Sequence, residues 1–113
     1  MIRISSFLFF LFLLSCQSPH PASSFDVTRY GAIPNDGKPD TEAFNKAVNE
    51  CNKSGGGTVL VPPGNYRIGT VYMKSNVELS IAHGAVVNGS TDLEEYDRSQ
   101  SRGGMIYGRN LEN

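Results

Sequence analysis

Apolar side chains recur every three or four positions between residues 40 and 54 (DTEAFNKAVNECNKS). This spacing lines one face of an α-helix, and the polar residues of the segment fall largely on the other faces. Asp40 or Thr41 can cap the start of such a helix, and Gly55 can adopt the left-handed conformation that ends it. The pattern therefore predicts an amphipathic helix whose buried stripe consists of Ala43, Phe44, Ala47, Val48 and Cys51.

After this helix the pattern changes to short strand-forming runs that are bounded by glycine and proline. The run at residues 58–61 follows three glycines and ends at Pro62, which lacks the backbone N–H that a continued ladder needs. The same pattern of apolar residues and glycines recurs twenty positions later. The matching pairs are Val59 and Leu79, Val61 and Ile81, Gly64 and Gly84, Tyr66 and Val86, and Gly69 and Gly89. Short strands with glycine corners that repeat at this period are typical of a solenoid.

A second match relates residues 71–74 to residues 106–109, at an offset of 35 that equals one repeat plus a polar insertion at residues 90–104. We therefore predict an all-β fold, a parallel β-helix, of which the chain holds the N-terminal rungs. The amphipathic helix would cap the first rung, because an uncovered solenoid end exposes its core. An antiparallel sandwich is the alternative, but it does not explain the repeated phase of the glycines.

The first fifteen residues have the composition of an export signal. Arg3 precedes a dense run of Phe and Leu that is too short to span a bilayer comfortably. The run ends in Leu13-Leu14-Ser15-Cys16, which is similar to a bacterial lipobox, where cleavage leaves an acylated cysteine as the first mature residue. An ordinary signal peptide that is cleaved nearby is the alternative.

This pattern divides the chain into three parts. We predict a lipoprotein signal peptide at residues 1–15, a lipidated Cys16 with a Ser- and Pro-rich tether at 16–24, and a folded domain at 25–113. The protein is accordingly expected to be exported and anchored by lipid to a bacterial membrane, on its periplasmic or cell-surface side.

Charge and cysteine content narrow the possible partners. Without Arg3 the chain has nine basic and eleven acidic residues, a net charge of −2, which argues against a nucleic-acid partner but not against one local basic groove. With Cys16 acylated, Cys51 has no disulfide partner, and its place in the helix stripe predicts a buried, inert thiol. A bridge between the two cysteines is the less favoured alternative.

Two segments carry a family resemblance. FDVTRYGAIPNDGKPDTEAFNKAV at residues 25–48 resembles the N-terminal segment of many pectate-lyase-like β-helix proteins. Residues 55–97 are similar to the start of the polygalacturonases of glycoside hydrolase family 28, most clearly in Met73-Lys74-Ser75-Asn76-Val77, Gly84-Ala85 and the later Ile106-Tyr107-Gly108.

The resemblance implies a right-handed parallel β-helix and an enzyme that hydrolyses the α-1,4-galacturonan of pectin with inversion, without a cofactor. Inversion uses one carboxylic acid and one carboxylate on opposite sides of the scissile bond. Another β-helix polysaccharide enzyme, such as a calcium-dependent lyase, and a non-catalytic glycan-binding surface module are the alternatives.

The catalytic motifs of the family are absent from this sequence. Asn-Thr-Asp, Asp-Asp, Gly-His-Gly and Arg-Ile-Lys do not occur in it, and the chain reaches Asn113 within an early rung. We therefore assign no catalytic residue, metal ligand or cofactor-binding residue, and expect the 113 residues to be inactive on their own.

Several polar residues are weaker candidates. Four carboxylates crowd the insertion and could bind calcium or act as acid and base, although a solvated loop is the simpler interpretation: Asp92, Glu94, Glu95 and Asp97. Asp36 and Asp40 flank Gly37, which favours a turn at residues 35–37 over a metal loop. Three arginines could pair with galacturonate carboxylates, namely Arg98, Arg102 and Arg109.

The remaining candidates are predicted to be structural. His83 lies beside a corner glycine and His20 lies in the tether. Asn52 and Asn88 begin glycosylation sequons, which are disregarded for a bacterial lipoprotein, and Asn88 is expected at a corner.

Overall fold

The computed structural model describes residues 23–97 and 105–108. Its elements, in chain order, are β1 (Ser24–Asp26), a 3₁₀ turn (Val27–Tyr30), α1 (Thr41–Lys53), β2 (Gly57–Val61), β3 (Gly64–Ile68), β4 (Val71–Tyr72), β5 (Val77–Ile81), β6 (Ala85–Gly89), a second 3₁₀ turn (Leu93–Glu95) and β7 (Ile106–Tyr107). The predicted signal peptide and Cys16 lie outside the described residues. The first strand begins at Ser24, one residue before the predicted start of the domain.

The strands form three parallel sheets, and the chain contributes strands to the first, second and third sheet in the same order in each repeat. β1, β2 and β5 make the first sheet, β3 and β6 the second, and β4 and β7 the third. Each strand from β2 onward thus pairs with the strand that follows it one repeat later. Because every strand pair in the described part of the chain is parallel, the antiparallel sandwich is wrong.

Of the three sequence offsets between paired strands from β2 onward, one in each sheet, two are those that the sequence predicts. Val59 lies opposite Leu79, which confirms the match at twenty residues between β2 and β5. Val71 lies opposite Ile106, which confirms the offset of 35 and the position of the insertion between them.

The offset in the second sheet differs by one residue from the prediction. Tyr66 lies opposite Val87, not opposite Val86. The cause is the corner between β5 and β6, which has three residues where the corner between β2 and β3 has two. Ala85 N–H closes this turn on the Ala82 carbonyl at 2.9 Å. Val86 therefore points outward and is 49% exposed.

The predicted helix and its buried stripe are confirmed. All five stripe residues are buried, and the helix packs against β1, β2 and β4. Phe44 meets Tyr66 edge to face, with 5.8 Å between the ring centroids. Gly55 has the expected positive φ of 101°, and Gly56 N–H donates to the Cys51 carbonyl at 3.0 Å.

Polar side chains also attach the helix to the sheets. Asn45 Nδ2 donates to the Thr70 carbonyl at 3.0 Å, and Asn45 Oδ1 accepts from Tyr72 N–H at 2.9 Å. Asp40 is the N-cap residue, as predicted, but its carboxylate makes no hydrogen bond to the helix. The helix is therefore held by specific bonds as well as by its apolar stripe.

The insertion that follows β6 crosses the corner between β3 and β4. Thr70 N–H donates to the Glu95 carbonyl at 3.4 Å, and a Cβ on Gly69 would collide with this same carbonyl oxygen. A side chain at position 69 is therefore incompatible with the path of the insertion.

Gly69→Ala is expected to lower the free energy of unfolding by about 1–3 kcal/mol, because backbone atoms must move to admit the methyl group. Gly89→Ala is the matched control, since its Cβ would meet only the side-chain tips of Tyr96 and Met105. Denaturant unfolding of both variants measures the difference. Equal losses would contradict the close approach of the insertion.

Within the described residues, no helix has the length and apolarity that crossing a membrane would require.

Candidate functional site

The outward side chains of the second sheet form a face that is polar except at Val86. Along β3, Tyr66 and Ile68 are buried, whereas Asn65 and Arg67 point away from the core. On β6, Asn88 lies directly opposite Arg67 and also points outward. Asn88 is thus a strand residue on this face, and its predicted place at a corner is wrong.

The turn at residues 35–38 adds a further layer to this face. Pro39 forms a parallel bridge with Arg67, so the segment runs alongside β3. Asn35 N–H donates to the Asn65 carbonyl at 2.8 Å, and Asn35 Oδ1 accepts from Asn65 N–H at 3.0 Å. Asp36 Oδ1 accepts from Lys38 N–H at 2.9 Å, which confirms the predicted turn.

An open pocket of about 360 Å³ lies between this turn and the polar face. Its lining consists of Asn35, Gly37, Lys38, Asn65, Tyr66, Arg67 and Asn88. The lining thus holds two cations and three amides, and it includes no carboxylate. Amide and cationic groups can hydrogen-bond to hydroxyl groups and to anions.

Arg67 is held in place by hydrogen bonds to two carboxylates. Its NH2 group donates to Glu95 Oε1 at 3.0 Å, and its backbone N–H donates to Asp40 Oδ2 at 3.3 Å. The Glu95 side chain is 15% exposed and the Arg67 side chain is 37% exposed, so this ion pair is partly shielded from solvent. Arg67 Nε and Glu95 Oε2 are buried without a hydrogen-bond partner. The Arg67 charge is therefore largely balanced by Glu95.

Lys38 differs from Arg67 in this respect. It is exposed, and it forms no ion pair with any residue that the structure describes. Its ammonium group is therefore the cation that this pocket can offer to a ligand.

Tyr66 contributes to the pocket from the core side. Its hydroxyl donates to the Pro62 carbonyl at 2.8 Å. Burial, together with the charges of Asp26 and Asp40, raises the pKa of Tyr66 above its usual value. The phenol therefore keeps its proton and holds the strand that carries Asn65 and Arg67.

The acidic residues of the insertion are only partly a solvated loop. Asp92 caps the second 3₁₀ turn by accepting from Glu94 N–H at 2.9 Å. Asp97 accepts from the Tyr72 hydroxyl, and its N–H donates to Thr70 Oγ1 at 3.0 Å. Asp97, like Glu95, thus attaches the insertion to the corner between β3 and β4. Residues 23–97 and 105–108 contain no group of three His, Cys, Asp or Glu side chains that could hold a metal ion.

The other candidates have structural positions or cannot be placed. Cys51 is buried, as predicted, and burial raises the pKa of its thiol, which disfavours the reactive thiolate. His83 lies in the turn between β5 and β6. Asn52 Nδ2 donates to the Ser75 carbonyl at 3.1 Å. His20, Arg98, Arg102 and Arg109 lie outside the described residues.

Sequence reasoning missed the pocket because its residues come from two segments that only the fold brings together. Asn65 and Arg67 alternate with buried Tyr66 and Ile68, and this alternation was the one signal that could have marked an outward face. No local pattern places Lys38 beside it.

No family model matches the chain. It is 36% identical over 62 residues to an iota-carrageenase of Alteromonas macleodii (54% of this chain, 13% of that protein). It is 31% identical over 71 residues to an exo-poly-α-D-galacturonosidase of Dickeya chrysanthemi (63% and 12%) and 40% identical over 61 residues to alginate lyase 7 of Azotobacter vinelandii (47% and 7%). The chain thus spans about an eighth of the first two relatives.

The fold is similar to that of solved glycosidases. A family 28 exopolygalacturonase of Yersinia enterocolitica superposes with a TM-score of 0.69 at 23% identity, covering 85% of this chain and 18% of that one. A hyperthermoactive exopolygalacturonase of Thermotoga maritima gives 0.61 at 26% (83% and 21%). An iota-carrageenase in complex with iota-carrageenan fragments gives 0.60 at 26% (66% and 17%).

The fold is therefore polygalacturonase-like, that of the β-helix glycosidases, and the sequence relatives are enzymes of polysaccharides. The chain is thus similar to polysaccharide enzymes and, at a coarse level, to glycosidases.

Proposed function

We propose that the chain is the N-terminal part of a pectin-degrading hydrolase of the polygalacturonase type, built as a right-handed parallel β-helix whose N-terminal end α1 covers. The observation that supports this proposal is that galacturonan enzymes occur both among the sequence relatives and among the structural neighbours, beside carrageenases and an alginate lyase. The Dickeya chrysanthemi relative is a galacturonosidase, and two of the structural neighbours are exopolygalacturonases. The burial of the α1 stripe against β1, β2 and β4 supports the capping role of the helix.

The described residues bear on binding rather than on bond cleavage. Inverting hydrolysis needs two carboxyl groups about 6.5–9.5 Å apart, with room for the attacking water between them. In the insertion, Glu95 is paired with Arg67, and Asp97 is bonded to Tyr72 and Thr70. We therefore assign acid and base to residues that would follow Asn113, and expect the 113-residue chain to be inactive alone.

The test is the gene sequence that follows the codon for Asn113. It should encode the Asn-Thr-Asp, Asp-Asp, Gly-His-Gly and Arg-Ile-Lys motifs, and the encoded protein should release reducing ends from polygalacturonate with inverted anomeric configuration. Replacing one aspartate of the Asp-Asp motif by Asn should abolish this release. Calcium-dependent formation of unsaturated ends would favour a lyase instead, and the absence of all these motifs would favour a non-catalytic glycan-binding lipoprotein.

The proposal includes export and a lipid anchor at Cys16. Wild-type protein should carry acyl chains and sediment with membranes, because more than one chain is needed for stable anchoring. Cys16→Ser should lose both the acyl mass and the membrane fraction, whereas Ser15→Ala, which keeps a small residue before the cysteine, should retain them. Mass spectrometry and detergent partitioning measure the outcome. Identical partitioning of wild type and Cys16→Ser, without acyl mass, would refute the anchor.

A further inference from the structure

We propose that the pocket between the 35–38 turn and the outer face of β3 and β6 binds one sugar residue through its carboxylate and hydroxyl groups. The choice of a uronic acid rests on the proposed function, whereas the location and its chemistry rest on the pocket itself.

Three adjacent layers of backbone bring the binding groups together. The bridge between Pro39 and Arg67 sets the turn beside β3, and the pairing of Arg67 with Asn88 sets β6 on the other side. Neighbouring layers in such a stack are about 4.8 Å apart. Side chains on adjacent layers can therefore contact the same small ligand.

The three amides retain hydrogen-bonding capacity that hydroxyl groups can use. Asn35 Oδ1 accepts from Asn65 N–H, which leaves Asn35 Nδ2 as a donor. Asn88 Nδ2 donates to the Tyr66 carbonyl at 3.3 Å, which leaves Asn88 Oδ1 as an acceptor. The Asn65 side chain is exposed and has no hydrogen bond to the described residues. Sugar hydroxyls both donate and accept, so they match this mixed set.

Lys38 is the group that would distinguish a charged sugar from a neutral one. The charge of Arg67 is balanced by Glu95, and Asp40 accepts from the Arg67 backbone. The Lys38 ammonium has no such partner among the residues described, and an ion pair with a ligand carboxylate is a charge-assisted hydrogen bond. The carboxyl of Asp36 is also near in sequence, but the hydrogen bond that it accepts comes from the Lys38 backbone.

Size and rigidity agree with a single-residue subsite. A volume of about 360 Å³ lies at the lower end of the range of small-molecule pockets, roughly 300–1,000 Å³. Two hydrogen bonds between Asn35 and Asn65, one between backbone groups and one from the Asn65 N–H to the Asn35 side chain, hold the two walls together before any ligand binds. Such pre-organisation reduces the entropy cost of binding.

The experiment compares three probes on the full chain: trigalacturonate, its methyl ester and neutral galactotriose. Binding is followed by NMR shifts and by Kd. We expect trigalacturonate to shift the signals of Lys38, Asn65 and Asn88, and to bind more tightly than the other two probes. Lys38→Gln should raise the Kd for trigalacturonate about tenfold, the size of one charge-assisted contact, and remove the preference over the methyl ester.

Lys46→Gln is the matched control, because Lys46 is an exposed lysine of α1 that does not line the pocket. It should leave every Kd unchanged, and thermal melts should show that both variants remain folded. Absence of binding, shifts confined to other residues, or an equal Kd for wild type and Lys38→Gln would each overturn the proposal. Reducing-end release by the protein of the complete gene reports on the proposed function separately, so that either idea can fail alone.

Discussion

Phe44→Ala is expected to lower the free energy of unfolding by about 3–5 kcal/mol, the cost of truncating a fully buried aromatic side chain. Phe44 is 0% exposed at the centre of the α1 stripe. The substitution removes its edge-to-face contact with Tyr66 and leaves a cavity between helix and sheet. Equilibrium denaturant unfolding, followed by far-UV circular dichroism, measures the change.

Two further variants make this result specific. Phe44→Leu should lose less, because it keeps most of the buried apolar volume. Ile33→Ala, at a side chain that is 58% exposed, should change the free energy of unfolding by less than about 0.5 kcal/mol. A loss that small for Phe44→Ala would mean that the helix does not contribute to the core.

Asp40→Ala is expected to cost about 2–4 kcal/mol, because it leaves two backbone donors unpaired. Asp40 is 5% exposed. Its two carboxylate oxygens accept from Ile33 N–H at 3.1 Å and from Arg67 N–H at 3.3 Å. The first bond closes the segment before α1 on itself, and the second joins this segment to β3. The substitution should therefore also speed hydrogen exchange at the 35–38 turn, the wall of the proposed pocket.

The controls for Asp40 use a conservative change and a neighbouring aspartate. Asp40→Asn keeps one acceptor oxygen and should lose less than Asp40→Ala. Asp36→Ala removes an exposed hydrogen bond to Lys38 N–H and should cost less than about 1 kcal/mol. If the two alanine variants lose equal stability, the two bonds of Asp40 do not hold the segment.

Local periodicity was sufficient to predict α1 and its stripe. Whether Phe44 and Cys51 share a helix face depends only on their spacing. The positive φ at Gly55 was predictable because glycine has no Cβ and can adopt the left-handed conformation that ends a helix. The pairing of Val59 with Leu79 was also visible in the sequence. Two short apolar runs with the same alternation can align their buried residues in only a few ways.

Tertiary structure alone decided the offset of the second sheet. The shift from Val86 to Val87 opposite Tyr66 depends on the extra residue in the turn that Ala82 and Ala85 close. Hydrophobicity could not distinguish the two possible offsets, because residues 86 and 87 are both valine. The register that turns Val87 toward the core, where it is partly buried, and exposes Val86 is set by the corner that precedes them.

The candidate site was likewise decided by long-range contacts. Arg67 meets Glu95 across 28 positions, and Asn35 meets Asn65 across 30. The amino-acid sequence by itself determined the repeat, the helix and the class of enzyme that they resemble. The pocket beside Lys38 could be found only in the folded chain. The position of a polar side chain in the sequence does not show which distant residue it will contact.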